Sequence, residues 1–130
     1  MIEILKKVKV KVKKDSKVIA ALIFGSYPKK GYRDIDICLI LDKKLPNIEL
    51  SKKKLSYQKI SSKLDIQIMQ QLPLYIKKEI LNSNKPLLVK DDGKIFDRAR
   101  DIIKEFNLYE KHYNEYLEHI KNGTRKKAVI

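Results

Sequence analysis

Two apolar runs separated by a polar loop constrain this chain most strongly. Residues 18–24 are apolar throughout and end at Gly25-Ser26, and a second apolar run follows the loop and contains Asp34 and Asp36 at its start. The pattern predicts two core strands. Because side chains alternate along a strand, the two aspartates project from the same face, with Cα atoms about 6.5–7 Å apart. A core strand has no packing reason to carry them, and they are costly there unless they are paired or bound to metal. Their spacing lets the two carboxylates converge on shared divalent metal ions.

The order of these residues, Gly-Ser, loop, Asp-x-Asp, resembles the signature of the DNA polymerase β-like nucleotidyltransferases, and most closely their minimal nucleotidyltransferase (MNT) branch. The resemblance implies that Gly25 and Ser26 hold a nucleoside triphosphate and that Asp34 and Asp36 hold Mg²⁺. It also implies a third acid on a neighbouring strand, and Asp65, in the alternating run 64–69, fits that place. Only seven residues separate Ser26 from Asp34, so the loop over the phosphates is expected to be short.

The mechanism that the resemblance implies is a two-metal nucleotidyl transfer from ATP. Asp34 and Asp36 would hold two Mg²⁺ ions, and Asp65 would complete the ligands of the second ion and act as a general base. The catalytic and metal-binding residues are therefore expected to be Asp34, Asp36 and Asp65. The residues expected to bind the nucleotide are Gly25, Ser26, Lys29, Lys30 and Arg33.

The charge of the chain is strongly positive, +14, from 30 Lys and Arg against 16 Asp and Glu. Such a charge attracts anions, but the lysines are scattered and not gathered with aromatic residues. The charge therefore does not by itself indicate nucleic-acid binding, and a lysine-coated surface explains it as well. No apolar stretch approaches the roughly 20 residues of a membrane span, and we expect a cytoplasmic protein. Cys38, the single cysteine, is expected to be a small buried residue on the same strand face as Asp36.

The first 14 residues have an ambiguous pattern. Val8, Val10 and Val12 alternate with lysines as in a strand, whereas Ile2, Ile4, Leu5, Val8 and Val12 fall on one side of a helix and only Val10 does not. The residues leave both structures open. The resemblance favours a leading helix, and we predict one.

The remaining elements are predicted from periodicity and from turn residues. They are a loosely packed helix from an N-cap at Asn47 to about Ser62, a strand over 64–69, a helix beginning at Pro73, a strand over 87–89, and a helical element over 95–121. The last element is expected to be one helix, or two with a break near Asn107, and to end at Asn122-Gly123. We expect an α/β (α+β) polymerase β-like fold with a mixed sheet of about four strands, helices mainly on one face and a C-terminal helical element. Residues 1–122 would form the domain and residues 123–130 a basic tail.

The small size of the chain, with about 40 residues after the last strand, resembles that of the antitoxin half of HEPN/MNT toxin–antitoxin pairs. The resemblance implies that the protein transfers AMP from ATP to a tyrosine of a HEPN ribonuclease, within a complex of the two. Two alternatives stay open. A catalytically idle MNT fold could act by contact alone, and a transferase could act on a small molecule or an RNA. The presence of all three acids argues against the first, and an acidic pocket for a cationic drug would not suit a +14 chain.

Overall fold

The structure is a computed structural model that describes residues 2–25, 27 and 34–129, with side chains up to residue 122. Its elements, in chain order, are α1 (Ile2–Lys14), β1 (Val18–Phe24), β2 (Ile35–Leu41), α2 (Asn47–Gln58), β3 (Leu64–Ile68), a 3₁₀ turn (Met69–Gln71), α3 (Leu74–Ser83), β4 (Lys85–Val89) and α4 (Asp92–Val129). No helix in these ranges is long and apolar enough to cross a membrane.

The four strands form one mixed sheet in the order β3-β2-β1-β4. Strand β1 pairs antiparallel with both β2 and β4, whereas β2 and β3 run parallel and are joined through α2. A parallel pair needs such a crossover connection. The N-terminal ends of β2 and β3 therefore lie side by side, next to the C-terminal end of β1. This confirms the predicted four-stranded mixed sheet.

Helices cover both faces of the sheet, so the prediction that they lie mainly on one face is wrong. On one face, Val8 and Val12 of α1 and Leu50 and Tyr57 of α2 join the odd-numbered residues of β2 in one buried cluster. On the other face, α3 and α4 contribute to a second cluster that contains Cys38. The reason is that β1 and β2 are apolar on both faces, and both faces must be removed from water.

The N-terminal segment is a helix, as predicted. Val8 and Val12 are fully buried, whereas Val10, which does not fit the helical stripe, is half exposed. Helix α2 packs more firmly than its thin apolar pattern predicted, because Leu50 and Tyr57, seven residues apart, are both fully buried. Its N-cap is Pro46, not Asn47, and it ends at Gln58, not at Ser62. The Gln58 side chain accepts a hydrogen bond from the Ile66 amide (3.1 Å), which links the end of α2 to β3.

The C-terminal half also differs from the prediction at its boundaries. Strand β3 ends at Ile68, one residue early, and α3 begins at Leu74 with Pro73 as its N-cap. Strand β4 begins at Lys85, and its Pro86 is tolerated because β4 is an edge strand. Helix α4 starts at Asp92, has no break at Asn107 and continues past the predicted end at Asn122 to Val129. The boundary between domain and tail at residue 122 stays a prediction.

Candidate active site

The candidate site lies where three strand ends meet on the α3/α4 face of the sheet. Asp36 is the register partner of Phe24 in β1 on one side and of Asp65 in β3 on the other. Since neighbouring strands are about 4.8 Å apart, the two carboxylates are held next to each other. The sheet thus brings together the second acid of the Asp-x-Asp pair and the third acid from β3.

Gly25 fits its backbone directly against Asp36. The residue has φ of 76°, and a Cβ atom added there would lie 2.1 Å from Oδ2 of Asp36. Both the left-handed backbone and the lack of space require glycine at this position. A side chain here would push the Asp36 carboxylate out of its place. Gly25 therefore does more than end β1, because its backbone also forms part of the carboxylate site.

The Asp36 carboxyl is shifted towards its protonated form. Its pKa is raised from 3.8 to about 6, first by burial, then by the charge of Asp65 and the hydrogen bond between the two carboxyl groups, and finally by the charge of Asp34. Crowded carboxylates resist ionisation because their like charges repel in a partly desolvated place. A bound cation relieves this repulsion. The raised pKa therefore reflects the crowding of carboxyl groups in a partly buried place.

Asp34 precedes β2, and its side chain is exposed. Among the described residues, no group of three or more Asp, Glu, His or Cys side chains is placed so that it could hold a metal ion. Mg²⁺ is usually bound by one or two protein carboxylates, with waters and phosphate oxygens as its other ligands. The two adjacent carboxylates of Asp36 and Asp65 fit such an ion by donor chemistry. That Asp34, Asp36 and Asp65 together bind metal stays a prediction.

Gln67 is a neighbour of the site that the sequence interpretation did not assign. Its Nε2 atom donates a 3.0 Å hydrogen bond to Oδ1 of Asp65, and its own Oε1 accepts one from Lys54 of α2 (3.4 Å). The contact helps to fix the orientation of the Asp65 carboxylate. The signal in the sequence was the i+2 spacing, which places Gln67 on the same strand face as Asp65.

Most of the predicted nucleotide-binding residues lie outside the described residues. These are Ser26, Lys29, Lys30 and Arg33. Gly25 is described, and its backbone lies against the Asp36 side chain. Cys38 is fully buried on the same face as Asp36, and burial raises the pKa of its thiol to about 12, so it is the inert core residue that was predicted.

A cavity of about 420 Å³ lies elsewhere, at the opposite end of β2. It is bounded by Leu41, the 3₁₀ turn and α4, with Ile40, Met69 and Ile102 among its apolar residues and lysines at its rim. Leu41 lies five residue steps along β2 from Asp36, which is roughly 16 Å. This cavity is therefore distinct from the carboxylate site.

Comparisons with known proteins agree with this geometry. The family model described as Polymerase beta, Nucleotidyltransferase matches residues 6–93. A candidate protein adenylyltransferase from Methanocaldococcus jannaschii is 31% identical over an alignment 122 residues long, and the match covers 88% of each chain.

Solved structures share the fold at low sequence identity. A crystal structure of the toxin–antitoxin MntA–HepT has a TM-score of 0.67 at 13% identity, over 92% of this chain and 98% of that one. A tri-AMPylated Shewanella oneidensis HEPN toxin in complex with its MNT antitoxin gives 0.66 at 15% identity, with the same coverage. A toxin–antitoxin structure with AMP-PNP gives 0.66 at 16%, over 89% and 97%.

The family match covers more than half of the chain, includes all three acids and coincides with the strand ends that hold them, so this chain belongs to the polymerase β nucleotidyltransferase family.

Proposed function

We propose that the protein is a Mg²⁺-dependent adenylyltransferase that moves AMP from ATP to a tyrosine hydroxyl of a HEPN-domain protein and acts as its antitoxin. The observation that carries the proposal is the Asp36–Asp65 carboxylate pair, built against the backbone of Gly25 at the ends of three strands. In a protein without such chemistry, the repulsion within this pair would only cost stability.

The transfer is an in-line displacement at the α-phosphorus of ATP. The tyrosine oxygen forms a bond to this phosphorus, the bond to the β-phosphate bridging oxygen breaks, and pyrophosphate leaves. Bound Mg²⁺ would neutralise charge on the triphosphate and lower the pKa of the attacking hydroxyl. Asp34, Asp36 and Asp65 would hold the ions, and Asp65 would take the phenolic proton.

The nucleotide is proposed to bind along the loop that follows β1. Gly25 keeps the backbone free of a Cβ atom where the phosphates approach, and Ser26 would donate hydrogen bonds to them. Lys29, Lys30 and Arg33 follow in the same loop and would attract the leaving pyrophosphate. We place the reaction in the cytoplasm, where ATP and Mg²⁺ are abundant.

A protein acceptor is supported by two lines. The relatives named above include a candidate protein adenylyltransferase and complexes of an MNT antitoxin with a HEPN toxin, one of them AMPylated. The far part of α4 also exposes Tyr109, Tyr113 and Tyr116, the residue type enriched where proteins bind one another. Contact-only inhibition by an idle fold is the second candidate, and the intact carboxylate pair argues against it.

The decisive experiment is intact-mass measurement of the HEPN protein after incubation with this protein, Mg²⁺ and ATP. We expect the HEPN protein to gain one or more AMP units on tyrosine. The Asp34→Asn, Asp36→Asn double variant should add none. The Asp97→Asn, Asp101→Asn double variant makes the same change of charge on exposed residues of α4 and should transfer at the parent rate. Tight binding with no change in mass, with any of the four nucleotides, would replace this proposal with the contact-only antitoxin.

Metal dependence of nucleotide binding separates the carboxylate site from general attraction by lysines. By calorimetry, Mg²⁺ should strengthen ATP binding to the parent protein and not to Asp34→Asn, because the carboxylates repel a bare triphosphate and recruit one that carries metal. Equal ATP affinity of the parent protein and of Asp34→Asn, each with and without Mg²⁺, would count against the site.

A further inference from the structure

Helix α4 carries an apolar seam with the spacing of a coiled coil. Apolar residues recur at alternating steps of four and three along the helix, an average of 3.5 residues, which keeps them on one line when two helices supercoil. We name this line the α4 seam. Its members are Ile95, Ala99, Ile102, Phe106, Tyr109, Tyr113, Tyr116 and Ile120.

The first half of the α4 seam packs on the body of the protein. Ile102 is buried in the cluster on the α3/α4 face of the sheet, and Ile95 packs against the same cluster. Phe106 is partly buried, and Nζ of Lys78 in α3 lies 3.9 Å from the centre of its ring. Up to this point the seam does what an amphipathic helix does in a globular core.

The second half of the α4 seam continues into solvent without a change of spacing. Every residue from 107 to 122 is exposed. The exposed fractions of Tyr109, Tyr113 and Tyr116 are 55%, 49% and 60%, and the rings of Tyr109 and Tyr113 stack with centroids 6.1 Å apart. This segment of 16 residues extends for about 24 Å.

An exposed helical segment of this length needs packing from another molecule. Isolated helices of such a length are marginal in water, and most helical stability in proteins comes from packing of the apolar face. Contiguous exposed apolar surface of this kind marks an interaction site. Tyrosines suit it, because their rings bury large areas while their hydroxyls can stay in contact with water.

We propose that the exposed half of the α4 seam packs against an amphipathic helix of the HEPN partner, its tyrosines fitting between side chains of that helix as in a coiled coil. The proposal rests on the proposed function for the identity of the partner. It adds the surface that holds the two proteins together, which lies on a different element from the carboxylate site.

Charge favours a foreign partner over a second copy of this chain. The whole chain carries +14, so two copies brought side by side repel each other. Residues 104–122 contain three lysines and four glutamates and are close to neutral, which allows a helix to approach the α4 seam. A partner with an acidic surface around its own helix would gain attraction from the basic body of this protein.

The test is the affinity for the purified HEPN protein, measured by sedimentation or calorimetry, for the Tyr109→Ala, Tyr113→Ala variant. Alanine keeps the helix, which circular dichroism checks. Loss of two central aromatic anchors should weaken binding by at least about 100-fold. The control is Leu108→Ala, which removes a side chain of similar exposure (57%) from another face of the same segment and should change affinity by less than about threefold.

Each result decides between named alternatives. Parent-like affinity of the tyrosine variant would overturn the α4 seam as the docking surface, while AMP transfer to the HEPN protein could still stand. A parent dimer that the tyrosine substitutions dissociate would make a second copy the occupant and overturn the proposal. A seam-dependent complex in which no AMP is transferred would leave the surface intact and remove the proposed reaction. A parent that stays monomeric and binds no HEPN protein would overturn both.

Discussion

Removal of the Asp36 charge should make the metal-free protein more stable while it abolishes metal-dependent binding of ATP. In Asp36→Asn the amide replaces a carboxylate of nearly the same shape, so packing changes little. What disappears is the repulsion from Asp65 and Asp34 and the cost of burying the charge, which together raise the pKa of Asp36 to about 6. A site built to bind a cation is expected to be strained without one.

The magnitude follows from the pKa. A carboxyl group with a folded pKa of about 6 and an ordinary value of 3.8 loses about 3 kcal/mol of folding free energy once it is ionised. Because the side chain is only partly buried, solvent screening reduces this figure to about 1.5 kcal/mol. For a chain of this length, we expect a rise in Tm of about 5 °C.

The raised pKa of Asp36 also determines how the stability of the protein changes with pH. Because the folded pKa is raised, the folded state holds the proton more tightly than the unfolded state, and stability is lost as pH rises from about 4 through 6. Asp36→Asn should therefore be more stable than the parent at pH 7.5 and nearly equal to it at pH 4. Urea unfolding with EDTA at both pH values measures this.

A control separates this effect from a general change of charge. Asp97→Asn removes one negative charge from an exposed pair with Arg100 and should not stabilise the protein. Adding Mg²⁺ should raise the stability of the parent and leave Asp36→Asn unchanged. Equal or lower stability of Asp36→Asn at pH 7.5 would refute the argument that Asp36 is held in a repulsive cluster.

Two further predictions concern residues that hold the fold around the site. Gly25→Ala should destabilise the protein by about 1–3 kcal/mol and abolish transfer, because a Cβ atom there meets Asp36 Oδ2 and φ is positive. The control is Gly93→Ala in α4, which should stabilise the protein by about 0.5–1 kcal/mol. Urea unfolding and the intact-mass assay test both variants. Tyr57→Phe should cost about 1 kcal/mol at pH 7, because its buried hydroxyl donates a 3.0 Å hydrogen bond to Asp15. Burial acts to raise the pKa of Asp15, but hydrogen bonds from Lys53, the Lys17 amide and Tyr57 lower it overall. The stability from the Tyr57–Asp15 hydrogen bond is therefore present above pH 3.8 and is lost as pH falls through the lowered folded pKa. An equal cost of Tyr57→Phe at pH 2 and pH 7 would contradict this argument.

The carboxylate site was predictable because local pattern and family resemblance agreed on it. Alternation predicted Asp34 and Asp36 on one face of a strand, and the resemblance supplied Asp65 on a neighbouring one. Asp36 lies in β2 as predicted, whereas Asp34 precedes the strand. The sheet then made Asp36 and Asp65 register partners. The contact between Gly25 and Asp36 could not be predicted, because it depends on the antiparallel register of β1 and β2, which no spacing within either strand specifies.

Helix positions were less predictable, because they depend on what the sheet leaves uncovered. A strand that is apolar on both faces was visible in residues 18–24, and it requires cover on both sides. Which helices provide that cover depends on the connections, and a weak stripe such as Leu50 and Tyr57 in α2 was enough. Boundaries also differed, as at α2, which ends at Gln58, whose side chain accepts a hydrogen bond from the Ile66 amide of β3.

In helix α4, the periodicity correctly predicted an apolar face but not which part of that face packs on the body of the protein. The repeat of Ile102, Phe106, Tyr109 and Tyr113 predicted an apolar face, and the face exists, yet only its first part meets the body of the protein. Periodicity reports that a face is to be buried and does not report by which molecule. If one partner supplies both the acceptor hydroxyl and the packing helix, its binding to the α4 seam also brings the acceptor to this protein. The double loss of binding and AMP transfer in the tyrosine variant, with Mg²⁺-dependent ATP binding unchanged, would be the signature of that arrangement.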